Sequence, residues 1–204
     1  MTDNSKKIKR VGTFNLPSKF GNFKLIGYEI NNSTKERFAI AIIRGTVKGK
    51  KGVLVRLHSQ CIFSEVFQSR QCDCRDQLEY ALKLIGKKGG ILIYLDQEGR
   101  GHGLLTKIRE HLLQEKGYDT YEASIRAGEI PDNRNYKHGI HICKDLGVRS
   151  IKLLTNNPEK INAVRASGIK LEERIPIEIK PNKYNLKYLR AKKRKFFHLL
   201  SRLS

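Results

Sequence analysis

No stretch of this 204-residue chain is apolar for long enough to cross a bilayer as a helix, which takes about 20 consecutive residues. The start, MTDNSKKIKR, is basic and has no apolar segment behind it, unlike a secretory leader. A cytoplasmic protein without a membrane partner is the expectation. Internal repeats and low-complexity segments are also missing. Cysteine is scarce, at four residues, and without a leader clustered cysteines favour metal over disulfide. Acidic residues are outnumbered 20 to 41 by lysine and arginine, for a net charge of +21. From Lys180 to Ser204 there are nine basic residues and no acid, and the first ten residues carry four bases against one acid. Such an excess suits polyanions, either nucleic acid or nucleotide phosphates, and equally fits a solvated lysine-rich surface.

What is present is concentrated in one stretch, RLHSQCIFSEVFQSRQCDCRDQ (56–77), with three of the four cysteines: Cys61, Cys72 and Cys74. Thiolates so spaced can converge on one zinc ion. Three are one ligand short of a tetrahedron. A catalytic site keeps that position open for water, whereas a structural site closes it, with His58 as the obvious fourth ligand. The spacing is not the CxxC pair of zinc ribbons, which weighs against the structural alternative.

Residues 1–10 read as a disordered basic arm. Alternating β-branched and aromatic residues predict antiparallel strands at 20–29, 37–44 and 52–58, separated by turns at Asn31-Asn32-Ser33 and 48–52. Apolar residues at 78, 81, 82 and 85 predict a helix over 75–87, ended by Gly89-Gly90. ILIYL (91–95) reads as a buried strand. Leu104 to Glu115 reads as an amphipathic helix with Leu104, Leu105, Ile108, Leu112 and Leu113 inward, closed by Gly117. Polar residues 118–135 form a loop with room for a helical turn. Helices over 137–146 and 158–166, strands at 150–155 and 169–179, and a basic amphipathic helix over 184–203 complete the reading. Strands first, then alternating helix and strand, predict one α/β (mixed α+β) domain over 11–180, with a mixed sheet flanked by helices. Residues 181–204 form a basic tail.

Four further features carry chemistry. QEGRG (97–101) could cradle phosphate at a helix N-terminus or be an ordinary turn, with Glu98 and Arg100 a surface pair. LLTNNPEK (153–160) puts Thr155 and Asn156 at a strand's carboxyl end and Lys160 in a helix's first turn, although an Asn cap followed by Pro explains it equally. PDNRNY (131–136) brings Asp132 and Arg134 together, or is a polar turn. Of six scattered histidines, His58 and His102 lie beside these motifs.

Taken together and in order, VRLHSQC (55–61), CDCRDQLEYAL (72–82), YLDQEGRGHGLLTKIREHLLQEKGYDT (94–120), DNRNY (132–136) and LGVRSIKLLTNNPEKINAVRASGI (146–169) resemble the GTP cyclohydrolase II family of riboflavin biosynthesis over about residues 13–200. The resemblance implies a homodimer with a mixed α/β fold that opens the guanine imidazole ring of GTP and releases formate and pyrophosphate. It implies zinc on Cys61, Cys72 and Cys74, and Mg²⁺ with the substrate triphosphate. GTP contacts fall on Arg56, Leu57, His58, Ser59, Gln60, Gln77, Glu98, Gly99, Arg100, Thr120, Thr155 and Lys160. Asp132 matches the proton acceptor, and Arg134 the residue assigned as nucleophile toward the α-phosphate. A guanidinium stays protonated, so charge stabilisation is the simpler role for Arg134.

The chain departs from the family pattern at Gln60, where a carboxylate is usual, at His111, where a catalytic-cleft tyrosine is usual, and at Asn133 and Asn135. Asp96 and His102 also differ. The changes fit a paralogue with altered substrate or product, such as one that stops at the formamidopyrimidine, and they fit neutral drift equally. A non-catalytic module that binds nucleotide, or RNA through the basic tail, is the alternative from a different class.

Overall fold

The computed structural model describes residues 8–31 and 36–203. Seven strands form one sheet: β1 (Ile8–Ser18), β2 (Gly21–Ile30), β3 (Phe38–Arg44), β4 (Val53–Ser59), β5 (Gly90–Leu95), β6 (Ser150–Leu154) and β7 (Lys170–Ile175). Their spatial order is β1-β2-β3-β5-β4-β6-β7. The half built from β1, β2, β3 and β5 pairs antiparallel, while β5, β4, β6 and β7 run parallel. The sheet is therefore mixed, and helices α1 (Ile62–Glu65), α2 (Cys74–Lys88), α3 (Leu104–Glu115), α4 (Thr120–Arg126), α5 (Lys137–Asp145), α6 (Pro158–Arg165) and α7 (Leu186–Lys195) flank it.

The topology corrects the expectation that the strand at 52–58 is antiparallel to its predecessors. β4 leads through the cysteine loop and α2 into β5, and a crossover that long returns the chain parallel. β4 lies at the sheet centre and is buried along nearly its whole length, as parallel strands covered on both faces are. Val55, Leu57, Ile91, Ile93, Ile151 and Leu153 face α5 and α6, packed with Ile140, Ile142, Ile161 and Val164. Leu54, Leu92 and Leu154 face α2, against Ala81 and Ile85.

At the amino end, β1 takes in Ile8–Arg10, three residues expected in the disordered arm; residues 1–7 lie outside the described residues. Asn32 and Ser33 of the expected turn do so too. Helix α3 has the expected bounds but the opposite orientation. Leu105 and Leu112 are 71% and 56% exposed, and Leu104 and Ile108 are also exposed. Thr106 and Glu110 are buried instead. The expected C-terminal helix ends at Lys195, and Phe197, with φ +55°, turns the chain back.

Candidate active site

The cysteines meet where the sheet's carboxyl end opens. Cys61 lies one residue, Gln60, past the end of β4, and Cys72 and Cys74 flank Asp73 at the start of α2. Their sulfurs all lie within 4.8 Å of one another, and Cys61 Sγ is 3.7 Å from Cys72 Sγ. Zinc–sulfur bonds of about 2.3 Å in a tetrahedron set sulfurs about 3.8 Å apart, so the spacing fits that ion. No fourth His, Cys or carboxylate joins the group among the described residues. His58 is committed elsewhere: its Nε2 meets Glu65 Oε1 at 2.8 Å, and its ring stacks on Tyr94. Glu65 also accepts from the Cys61 N–H at 3.1 Å and from Tyr94 OH at 2.5 Å. This buried trio braces the first thiolate, and burial pushes the Glu65 carboxyl up to about 7.

A second brace comes from Lys107 on α3. Its Nζ is 3.1 Å from Cys61 Sγ and 2.7 Å from Glu98 Oε1. Glu98 Oε2 accepts from the Ile62 N–H at 2.6 Å. Hydrogen bonds from Cys72 and Cys74, then Lys107, pull the Cys61 thiol far below its ordinary value, while bonding to Cys61 holds the other two above theirs. A bound cation makes such thiols thiolates outright. Glu98 is thus no surface partner of Arg100, as one expectation had it.

The glycine-rich loop is not an ordinary turn. Gly99, Arg100 and Gly101 all have positive φ, of +56°, +54° and +88°, a conformation costly for a residue with a Cβ. The strain aims Arg100 at Thr120, whose Oγ1 accepts at 2.6 Å. The Asn133 N–H donates to the Arg100 carbonyl at 3.1 Å, which docks the 131–136 loop. There Arg134 grips Asp132 with both Nε and Nη2. Burial opposes ionisation of Asp132, yet Arg134 outweighs it and holds the carboxylate down to about 2. Burial likewise lowers Arg134, and Asp132 overrides it, so the guanidinium stays charged. That charge state agrees with stabilisation of charge rather than nucleophilic attack.

Beside the thiolates lies a cation-rich pocket. Arg56 and Lys160 are each 5% exposed. Neither has a carboxylate partner among the contacts of the described residues. Arg56 donates to the Leu154 carbonyl at 3.0 Å and to Gln77 Oε1 at 2.6 Å; Lys160 donates to the Leu57 carbonyl at 2.7 Å. Burial lowers both, Arg56 to about 10. Arg56 Nε and His58 Nδ1 are buried with no hydrogen-bond partner among the described residues. Thr155 lies at the end of β6, where Asn157 caps α6 through the Glu159 N–H at 2.8 Å with Pro158 at the first turn. The cap and the pocket are therefore both real features of LLTNNPEK. The two lobes share Ser59, Cys74, Arg100, Arg134 and Tyr188, so they adjoin.

These features belong to a recognisable group of proteins. The model of the GTP cyclohydrolase II family matches residues 9–176. The chain is 42% identical over 195 residues to GTP cyclohydrolase-2 of Actinobacillus succinogenes, covering 95% of this chain and 89% of that protein.

This chain belongs to the GTP cyclohydrolase II family.

It is also 45% identical over 199 residues to the riboflavin biosynthesis protein RibBA of Endomicrobium trichonymphae, covering 97% of this chain and 49% of the relative. With RibBA of Aquifex aeolicus it shares 47% over 194 residues, covering 94% and 47%. The chain thus spans about half the length of the RibBA proteins it matches. RibBX from A. baumannii, a two-domain 3,4-dihydroxy-2-butanone 4-phosphate synthase of solved structure, aligns over 87% of this chain and 42% of its own, with 21% identity and a TM-score of 0.48.

The residues that the family resemblance assigns to substrate, and Asp132, Arg134 and His111, lie on or beside the two lobes. Gln60, Glu98, Gly99, Thr120 and His111 line the thiolate lobe; Gln77, Thr155, Lys160, Arg56 and His58 line the cation lobe. Leu57 contributes its carbonyl to Lys160, and Asp132 reaches the site through Arg134. His111 packs on Phe63 with ring centres 5.4 Å apart. His102, by contrast, holds the loop beneath, through Ile130 O and Glu129. Sequence reasoning missed Lys107, Glu65, Tyr94 and Asp73. A signal for Lys107 existed: residues 107, 111 and 114 repeat at helical spacing, and this polar stripe of α3, not its leucines, lines the cleft.

Proposed function

We propose that this chain is a zinc-dependent hydrolase that converts GTP to 2,5-diamino-6-(5-phospho-ribosylamino)pyrimidin-4-one, formate and pyrophosphate, the first step of riboflavin biosynthesis. The observation that carries this reading is the juxtaposition of three thiols within 4.8 Å of one another with buried Arg56 and Lys160, which have no carboxylate partner among the described residues. Cys61, Cys72 and Cys74 would hold a zinc ion, which would supply Lewis acidity for attack of water on the guanine imidazole carbon. The chain's own residues do the rest. Glu65 and Lys107 fix the first thiolate. Ser59 and Gln60 form the wall that meets the base. Arg56, Lys160, Thr155 and Arg100 take the triphosphate, with Mg²⁺ sharing its charge. Arg134 stabilises the α-phosphate, and when it turns to phosphate it releases Asp132, whose basicity then rises toward that of a proton acceptor.

A homodimer fits the exposed apolar stripe of α3, with Leu105, Ile108 and Leu112, joined by Ile125 of α4; such a stripe on a monomer is the kind of surface a second copy covers. No helix among the described residues is long and apolar enough to cross a membrane. Nucleic-acid binding through the tail is disfavoured, because its leucines pack together and Lys195 is paired with Asp119 and Glu122.

The position of His111 in the cleft favours a second reading, arrest at the formamidopyrimidine. An imidazole differs from a phenol in reach and basicity, and burial with Lys107 nearby lowers it further. Incubation with GTP, Zn²⁺ and Mg²⁺ separates the readings. Formate release with loss of the GTP ultraviolet spectrum is expected. Ring opening without formate selects the second reading, and gain of formate release by Gln60→Glu with His111→Tyr assigns the cause. Unchanged GTP sinks both.

A further inference from the structure

The residues of α7 and those after it lie across the cation lobe. Lys192, Phe196 and His198 line it together with Arg56, Arg134 and Lys160. The Lys192 side chain, 13% exposed, donates to Asp73 Oδ1 at 2.9 Å. Gln77 bonds the other Asp73 oxygen at 2.5 Å and accepts from Arg56 at 2.6 Å, so the segment joins a polar chain that runs to the sheet. The ring centres of Phe196 and Tyr188 are 4.6 Å and 5.9 Å from the Arg100 guanidinium carbon, near enough for cation–π attraction. The Leu199 N–H donates to the Asn156 carbonyl at 2.8 Å, pinning the segment beside the end of β6.

Its packing marks the segment as a separate unit. Leu189, Leu200 and Leu203 cluster with Leu186 and Tyr188, apart from the two cores on the sheet. Its described ties to the body are largely polar: Lys192 to Asp73, Lys195 to Asp119 and Glu122 at 2.6 and 3.0 Å, and Ser201 and Arg202 to Glu178. Adding Lys192 to Arg56, Arg134 and Lys160 leaves positive charge in excess over Asp73 and Asp132. Arg56, which lines this lobe, also carries a buried Nε–H with no hydrogen-bond acceptor among the described residues. Buried charge and unspent hydrogen-bonding capacity of that sign call for an anion.

We propose that residues 186–203 form a wall of the nucleotide's phosphate pocket, with Lys192 as a phosphate-binding cation and Tyr188 and Phe196 as positioning residues for Arg100. The inference rests on the reading of the site as one for a nucleoside triphosphate. When Lys192 turns to phosphate, Asp73 keeps Gln77 as its donor.

The test is calorimetric binding of a non-hydrolysable GTP analogue, and separately of guanosine, to the zinc-loaded full chain. Lys192→Gln is expected to weaken the analogue about tenfold to a hundredfold, the worth of a charge-assisted contact. Guanosine affinity and zinc content stay unchanged, and Lys192→Arg recovers most of the loss. Phe196→Ala is expected to raise the KM for GTP more than it lowers kcat. Unaltered analogue affinity in Lys192→Gln overturns the proposal. Loss of zinc, or an equal loss for guanosine, also overturns it, because Lys192 is then a support of the Cys72–Cys74 hairpin. If the unmodified protein binds neither ligand, the nucleotide reading itself fails and takes this inference with it, a result distinct from failure of the variant alone.

Discussion

Single residues carry the chemistry, and their surroundings make it testable. Cys143 is buried in α5, away from the other three thiols, and burial alone pushes it up to about 12. Its folded value lies above its unfolded value, so its contribution to stability is intact below pH about 9 and declines from there toward pH 12. Cys143→Ala should flatten that alkaline decline, which for one proton is about 1.4 kcal/mol per pH unit, in denaturant melts from pH 8 to 11. Asp132 has the opposite sign. Arg134 holds it down to about 2, so its contribution is present above pH about 4 and is lost as pH falls toward 2. Asp132→Asn should lower stability at pH 7 by about 2 kcal/mol, since a half-buried guanidinium loses its partner, and should flatten the acid limb between pH 4 and 2. Equal acid limbs for variant and parent would contradict the pairing. Much of this site was legible from residue types, because CxC with a third cysteine and an Asp-x-Arg loop are rare enough to stand out. Lys107 was not, because a lysine on a helix rich in leucine reads as a solvated face.

At the scale of elements, the glycine loop and α3 are the informative pieces. A Cβ on Gly101 would stand 3.1 Å from the Asn133 carbonyl oxygen, at φ +88°. Gly101→Ala should destabilise the fold by about 1–2 kcal/mol and weaken GTP binding, because Arg100 and the 131–136 loop meet at that point. Normal affinity in a destabilised variant would show that the loop does not position Arg100. Strands β2 to β6 and helices α2, α5 and α6 follow from periodicity and from Gly and Asn-Pro punctuation in the sequence. β1 did not stand out. It is an edge strand exposed along most of its length, with Lys9, Arg10, Gly12 and Pro17 interrupting any apolar alternation, so its pairing with β2 comes from partner geometry rather than from local pattern. The face of α3 was misread for a related reason. An apolar stripe says only that something covers it, and among the described residues of this chain α3 instead turns its polar stripe to the cleft.

At the scale of the molecule, the two stripes of α3 would tie the proposed dimer to the proposed reaction. If a second copy covers Leu105, Ile108 and Leu112, then the helix that carries Lys107 and His111 is clamped between a dimer seam and the metal lobe. Leu105→Glu with Leu112→Glu should shift sedimentation equilibrium from dimer to monomer. A parent protein that sediments as a monomer would contradict the assembly. The reaction itself is tested most directly by mass analysis of the products formed from GTP by the zinc-loaded chain. The ring-opened diaminopyrimidine monophosphate, formate and pyrophosphate are expected, with loss of all three products on Cys61→Ala. Recovery of intact GTP from the zinc-loaded protein would contradict the proposed reaction.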